Sequence, residues 1–171
     1  VIGAVTGGIA IATACALFGR KTILIERARM GGYRLQGELP LQALATAGRH
    51  ATAWRAAAGF GIRYDEPDID FAAVLRYAKK LTAAQAAEVS SERLSALGIN
   101  VLQGEARFIS ADSVAVGDRT VTAKRFVIAT GARPALPPIP GLADIPCLTP
   151  QSVFDLTERP LHLLIIGGGG A

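Results

Sequence analysis

The opening Val1-Ile-Gly-Ala-Val-Thr-Gly-Gly8, together with an acid at Glu26, constrains this chain more than any other feature. Val1 and Ile2 read as the end of a buried strand, Gly3 to Gly8 as a tight turn, and residues 9–18 as a helix that Gly19 stops. Residues 21–25 then form a second apolar strand with Glu26 at its tip. A helix that starts directly after a glycine turn presents free N–H groups, and these hold a pyrophosphate. A carboxylate about 20 residues further on, at the end of the next strand, meets a ribose diol. The pattern points to a nucleotide bound at the carboxyl ends of a parallel sheet. One position departs from it. The second glycine of the G-x-G-x-x-G fingerprint lets the backbone approach the phosphates, and Val5 stands there.

Residues 1–19 carry no charge, so a signal or membrane segment is the competing reading. Three glycines in the first eight residues oppose it, as does the lack of any basic residue before Arg20. The helical part is also about a dozen residues long, against the roughly twenty that a span needs. No membrane span is expected. Two cysteines, Cys15 and Cys147, have neither metal nor redox spacing and suggest a reduced, cytoplasmic protein. The 18 Lys+Arg against 14 Asp+Glu are dispersed, with few aromatics among them, which argues against nucleic acid as a partner. Half of the 171 residues are apolar, enough for one well-packed domain.

Past Glu26, Gly31-Gly32 open a loop, Pro40 suits a first helical turn, and residues 41–58 form an alanine-rich helix holding His50 and Trp54, both read as packing or surface residues. Asp70 is the expected N-cap of a long helix with Phe71, Val74, Leu75, Ala78 and Leu81 on one face, continuing through Val89, Leu94 and Leu97 to a stop at Gly98. The period then changes from helical to alternating. Residues 99–102 form a strand, and residues 106–109, 113–116 and 120–122 form short strands around a Gly117-Asp118 turn, as in an antiparallel meander. Residues 126–129 return to an apolar strand that runs into Ala129-Thr130-Gly131-Ala132-Arg133-Pro134.

This order of glycine turn, ribose acid, Gly-Gly loop, long helix, meander, Ala-Thr-Gly and Pro140-Gly141 resembles the FAD domain of the pyridine nucleotide-disulfide oxidoreductases, the family of dihydrolipoamide dehydrogenase, glutathione reductase and mercuric reductase. The resemblance covers the whole chain. It implies that Gly3, Thr6, Gly7 and Gly8 line the FAD pyrophosphate and that Glu26, with Arg27 beside it, holds the adenosine ribose. It further implies that Gly31 and Gly32 border the cofactor, that Gly104-Glu105-Ala106 pass the adenine with backbone groups, and that Ala129, Thr130 and Gly131 close the cofactor from the other side. Without it, Ala-Thr-Gly after a strand is an ordinary exit into a turn.

The departure lies at the chemistry. The family loop reads Gly-Gly-Thr-Cys-Leu-Asn-x-Gly-Cys-x-Pro-Ser-Lys, whereas this chain reads Gly31-Gly-Tyr-Arg-Leu-Gln-Gly-Glu-Leu-Pro-Leu-Gln42. Aligning Pro40 with the family proline requires one deletion and puts Arg34 and Glu38 at the two cysteine positions; without the deletion Leu39 takes the second. No dithiol forms from these side chains, so thiol–disulfide exchange at this site is excluded. Two readings of the pair stand side by side: charges that tune a flavin, or a loop that lost its cysteines and holds a modest surface ion pair.

Residues 161–171 look like another apolar strand entering another glycine turn, which in the family begins the nicotinamide-nucleotide domain; a glycine-rich tail is the alternative. The expected architecture is an α/β FAD/NAD(P)-binding Rossmann-like domain over residues 1–160, mainly a parallel sheet with helices on both faces plus a small antiparallel meander at about 105–125. Residues 161–171 start a truncated NAD(P)-binding domain, and the chain reads as a piece of a longer protein, a homodimer in the family. The resemblance implies an FAD-dependent oxidoreductase that takes hydride from NAD(P)H without a dithiol. A non-catalytic scaffold that keeps the fold is the alternative from another class. A simple NAD dehydrogenase fits Gly3 to Glu26 and leaves Gly31-Gly32 and Ala129-Thr130-Gly131 without roles.

Overall fold

The computed structural model describes residues 1–63 and 65–168. Its centre is a short parallel sheet in which β1 (Thr22–Glu26) pairs with β2 (Ile99–Gln103) from Thr22 against Ile99 to Glu26 against Gln103. Ile2 bridges Ile25 on one side and Ile128 on the other, both in parallel, through Ile2 N–H to the Val127 carbonyl at 2.8 Å and Ala129 N–H to the Ile2 carbonyl at 2.7 Å. The spatial order is therefore residues 126–129, residues 1–3, β1, β2. Successive segments leave the first one in opposite directions, and in open α/β sheets the ligand crevice lies outside the carboxyl ends where the order reverses. The expected strand at 126–129 exists only as this bridge, since the chain turns away after three paired residues.

Ile23, Leu24, Ile25, Val101 and Leu102 make near-continuous apolar runs because both faces of the sheet are covered. On one face, α1 (Thr6–Leu17) and α4 (Ser91–Ala96) bring Ala12 and Leu94 against Ala4, Leu24 and Ile99. Gly8 and Ala12, the buried residues of α1, let that helix lie close to the strands. On the other face, Ile25 and Leu102 meet Val114, Val116 and Val121. Those valines come from the meander β3 (Ala106–Phe108), β4 (Ser113–Val116) and β5 (Arg119–Thr122), antiparallel in the order β3-β4-β5. The meander thus covers the second face, where a helix was expected.

The remaining helices pair with each other. Ala43 on α2 (Leu39–Ala57) packs with Leu75 and Ala78 on α3 (Phe71–Glu88) and with Phe154. Asp70 caps α3 as its position predicts, accepting from Ala73 N–H at 2.9 Å. The continuation to Gly98 is not one helix: Val89 ends α3, and Ser90 caps α4 by accepting from Arg93 N–H at 3.3 Å.

Residues 161–166, expected as a strand, pair with nothing among the described residues, and Leu161 and Leu164 are 92% and 86% exposed. A strand exists only through ladder partners, which apolar composition alone does not supply. The glycines 169–170 and Ala171 that end the expected second turn lie outside the described residues.

Candidate functional site

Glu26 stands at the mouth of the crevice, 8% exposed, and ties its edges together. Its Oε2 accepts from Ala4 N–H at 2.6 Å and its Oε1 from Ala28 N–H at 2.8 Å. Its backbone carbonyl accepts from Gly104 N–H at 2.8 Å. One residue thus joins the glycine turn, its own loop and the exit of β2, which satisfies the buried carboxylate. Each oxygen keeps capacity for a further donor, as a ribose diol would require. Gln103 Nε2 donates to the Ala28 carbonyl at 2.8 Å, and Gly31 N–H to the Ala4 carbonyl at 2.7 Å, so the Gly31-Gly32 loop is pinned to the first turn.

The glycines of the turn are explained by backbone packing. Gly3 has φ +99°, and a Cβ there would strike the Ala129 carbonyl oxygen and come within 2.9 Å of Thr130 Cα. A Cβ on Gly8 would strike the Gly3 carbonyl oxygen. Around Gly7, by contrast, the space is open, and Thr6 and Gly7 are exposed at the start of α1. No side chain caps that helix, and Ile9 N–H donates to the Val5 carbonyl at 2.9 Å, so the N–H groups of Thr6, Gly7 and Gly8 ahead of it lack intrahelical partners. Thr130 and Gly131 are exposed on the opposite lip, next to Ala129. Gly104 precedes β3, where a Cβ would meet Val116 Cγ1 at 2.8 Å. Arg27 reaches Glu105 at 3.8 Å, with 53% and 80% of the two side chains exposed.

Of the fourteen residues expected to line a cofactor, Thr6, Gly7 and Gly8 lie in the first turn of α1, Glu26 ends β1, Ala106 begins β3, and the other nine lie in the turns and loops between elements. The sequence pattern did not reveal what Val5 does. Its Cγ2 lies 2.8 Å from where a Cβ on Gly32 would be and 3.4 Å from where one on Gly131 would be. The isopropyl group fills the gap between the two glycine backbones. For a dinucleotide, the adenosine end fits: a buried acid with spare acceptor capacity, exposed helix N–H groups and glycine backbones. The diphosphate position at residue 5 does not fit, because a side chain occupies it.

Arg34 and Glu38 lie on a π-helical turn, Arg34–Glu38, that continues into α2 without a break. The expected loop is thus helical, and Leu39 N–H bonds back five residues to the Arg34 carbonyl. Pro40 has no N–H to give Gln36, and its ring would crowd that carbonyl in a regular α-helix; the widened turn just before it relieves both. Gly37 allows the Tyr33 ring to lie against it, with Tyr33 Cε2 at 2.9 Å and the Pro150 carbonyl at 3.4 Å from its Cβ position. Arg34 and Glu38 are both exposed and form no ion pair with each other among the described residues. The expected surface pair is absent; two long side chains in water gain little by pairing. Neither position holds a thiol, and the two cysteines, both free, sit at 15 and 147.

A family model described as pyridine nucleotide-disulphide oxidoreductase matches residues 1–170. Mercuric reductase of Streptomyces lividans is 34% identical over 176 residues, which cover 99% of this chain and 37% of that protein. Dihydrolipoyl dehydrogenase of Bacillus subtilis is 33% identical over 179 residues, with the same two shares. Among solved structures, the HOCl-induced flavoprotein disulfide reductase RclA from Escherichia coli superposes with a TM-score of 0.72 at 23% identity, over 92% of this chain and 33% of that one, which shows the fold. The chain spans about a third of the length of these relatives. A buried acid after the second strand, glycines fixed by backbone contact and an Ala-Thr-Gly lip at the sheet's reversal point agree with this match along the sequence: the chain belongs to the pyridine nucleotide-disulphide oxidoreductase family.

Proposed function

We propose that this chain is the flavin-binding part of an FAD-dependent oxidoreductase that takes hydride from NAD(P)H and does not reduce disulfides at its own flavin site. The observation that carries the reading is the Glu26 carboxylate, buried and held by Ala4 and Ala28 N–H groups at the point where three loops converge. In this proposal Glu26, with Arg27 beside it, orients the adenosine ribose. The N–H groups at Thr6, Gly7 and Gly8 face the phosphates, with Gly3 shaping the turn; Gly31 and Gly32 border them; Gly104, Glu105 and Ala106 follow the adenine. Ala129, Thr130 and Gly131 close the far side. FAD would supply acceptance of a hydride and onward passage of its two electrons. With Arg34 and Glu38 in place of a dithiol, the acceptor is a quinone, dioxygen, a metal ion or a partner protein. Residues 161–171 would begin the nicotinamide-binding domain of a cytoplasmic homodimer.

Visible absorption of the full-length protein before and after anaerobic NAD(P)H tests the reading. Flavin bands that bleach, with no change in thiol titre, are expected; a flavin that stays oxidised refutes it. A second reading, a scaffold that retains the fold and not the cofactor, is favoured by Val5 alone, and predicts a colourless protein that stays colourless with added FAD.

A further inference from the structure

We infer that Val5 is a wedge that trades diphosphate affinity for a site that holds together without its cofactor. This rests on the flavin-binding reading above. A diphosphate running from the ribose acid Glu26 toward the lip at residues 129–131 must pass residue 5, where the fingerprint places a bare backbone. Val5 is half-buried there, extended at φ −89° and ψ 179°, at the start of α1. Its Cγ2 lies against Gly32 and Gly131, one glycine from each flanking loop. In this inference the side chain takes room that a diphosphate would use, and in the cofactor-free protein it fills the space between the two loops, adding packing to the backbone bonds that already hold them, Gly31 N–H to the Ala4 carbonyl and Ala129 N–H to the Ile2 carbonyl. Room remains beside Gly7, where nothing lies within 4 Å of a Cβ.

Two consequences move in opposite directions, which separates a wedge from an ordinary packing residue. Removing the side chain raises affinity for diphosphate ligands and lowers the melting temperature of the free protein. Because the extended backbone at residue 5 suits any residue, V5A changes the side chain without strain, and V5T keeps its bulk.

The experiment uses the full-length protein stripped of flavin, as wild type, V5A, V5G and V5T. FAD, ADP and AMP are titrated by calorimetry, and the free proteins are melted. V5A and V5G are expected to bind FAD and ADP at least tenfold more tightly, to bind AMP within about threefold of wild type, and to melt several degrees lower; V5T is expected to match wild type in all of these. Equal FAD affinity in wild type and V5A overturns the wedge while leaving the flavoprotein reading intact, as does an equal gain for AMP and ADP. Failure of every variant to bind FAD overturns both. Binding by V5A and V5G alone upholds the wedge and refutes the natural protein as a flavoenzyme.

Discussion

Gly7 and Gly8 stand side by side in the first turn of α1, and the structure assigns them opposite responses to the same methyl group. Neither has a positive φ, so by helix propensity alone each change to alanine is favourable by up to about 1 kcal/mol. Around Gly7 the added Cβ meets nothing within 4 Å, and that gain stands. At Gly8 the Cβ overlaps the Gly3 carbonyl oxygen and lies 3.0 Å from its carbon and 3.3 Å from Ala129 Cβ. These are mostly backbone atoms of the turn and cannot rotate aside. To admit the methyl, α1 must lift from the sheet, loosening Ala12 and Ile9 against Ala4 and Leu24. Overpacking of this kind costs about 1–3 kcal/mol, more than propensity returns. Gly8→Ala is therefore expected to destabilise by about 1–2 kcal/mol net, and Gly7→Ala to be neutral or slightly stabilising. At about 2–4 °C per kcal/mol for a chain of this size, the two variants separate by several degrees. Urea and thermal unfolding followed by circular dichroism read the difference. Equal midpoints, or a Gly7→Ala variant weaker than Gly8→Ala, would refute the close approach of α1 to the turn.

Two further outcomes follow from side-chain geometry. Glu26→Gln leaves one acceptor oxygen for two backbone N–H donors now 2.6 and 2.8 Å from the carboxylate; a loss of about 1–3 kcal/mol is expected in urea unfolding, while Glu105→Gln, whose ion pair is exposed, stays within about 0.5 kcal/mol of wild type. If the two variants unfold alike, Glu26 does not tie the turn. The hydrogen bond from Ala73 N–H holds Asp70 below its ordinary carboxylate value of 3.8, against desolvation and with Arg76 assisting. A lowered folded value means that the charged cap contributes above the unfolded value and that this contribution is lost as pH falls through the folded one. The stability gap between wild type and Asp70→Ala should hold at neutral pH and shrink below pH 3.8; a gap that widens in acid contradicts the assignment.

Where local rules suffice, sequence and structure coincide. Asp70 caps α3 because a short acceptor before an apolar face has few other uses. The meander forms around Gly117 because alternating valines need a face to bury. Local reasoning fails where an outcome depends on a distant partner. Residues 161–166 are as apolar as β1, yet no ladder forms among the described residues. Ser90 divides the expected long helix, a cap hidden among neighbouring serines. The loop before Pro40 is a π turn because proline disturbs the turn that precedes it, an effect that residue-by-residue periodicity does not register.

The amino-acid sequence alone determined the family, the first turn, the meander and the absence of a dithiol at positions 34 and 38, because glycine spacing, an acid at a strand tip, alternating valines and the identity of side chains are local facts. Only the tertiary structure decided that Val5 reaches Gly32 and Gly131, that Gly8 is sealed against Gly3 while Gly7 is open, and that Glu26 joins two loops through its carboxylate. Those contacts link residues up to more than a hundred positions apart. They exist because a reversing parallel sheet brings the ends of its segments to one crevice, where the room left for a side chain is set by backbone the local sequence does not contain.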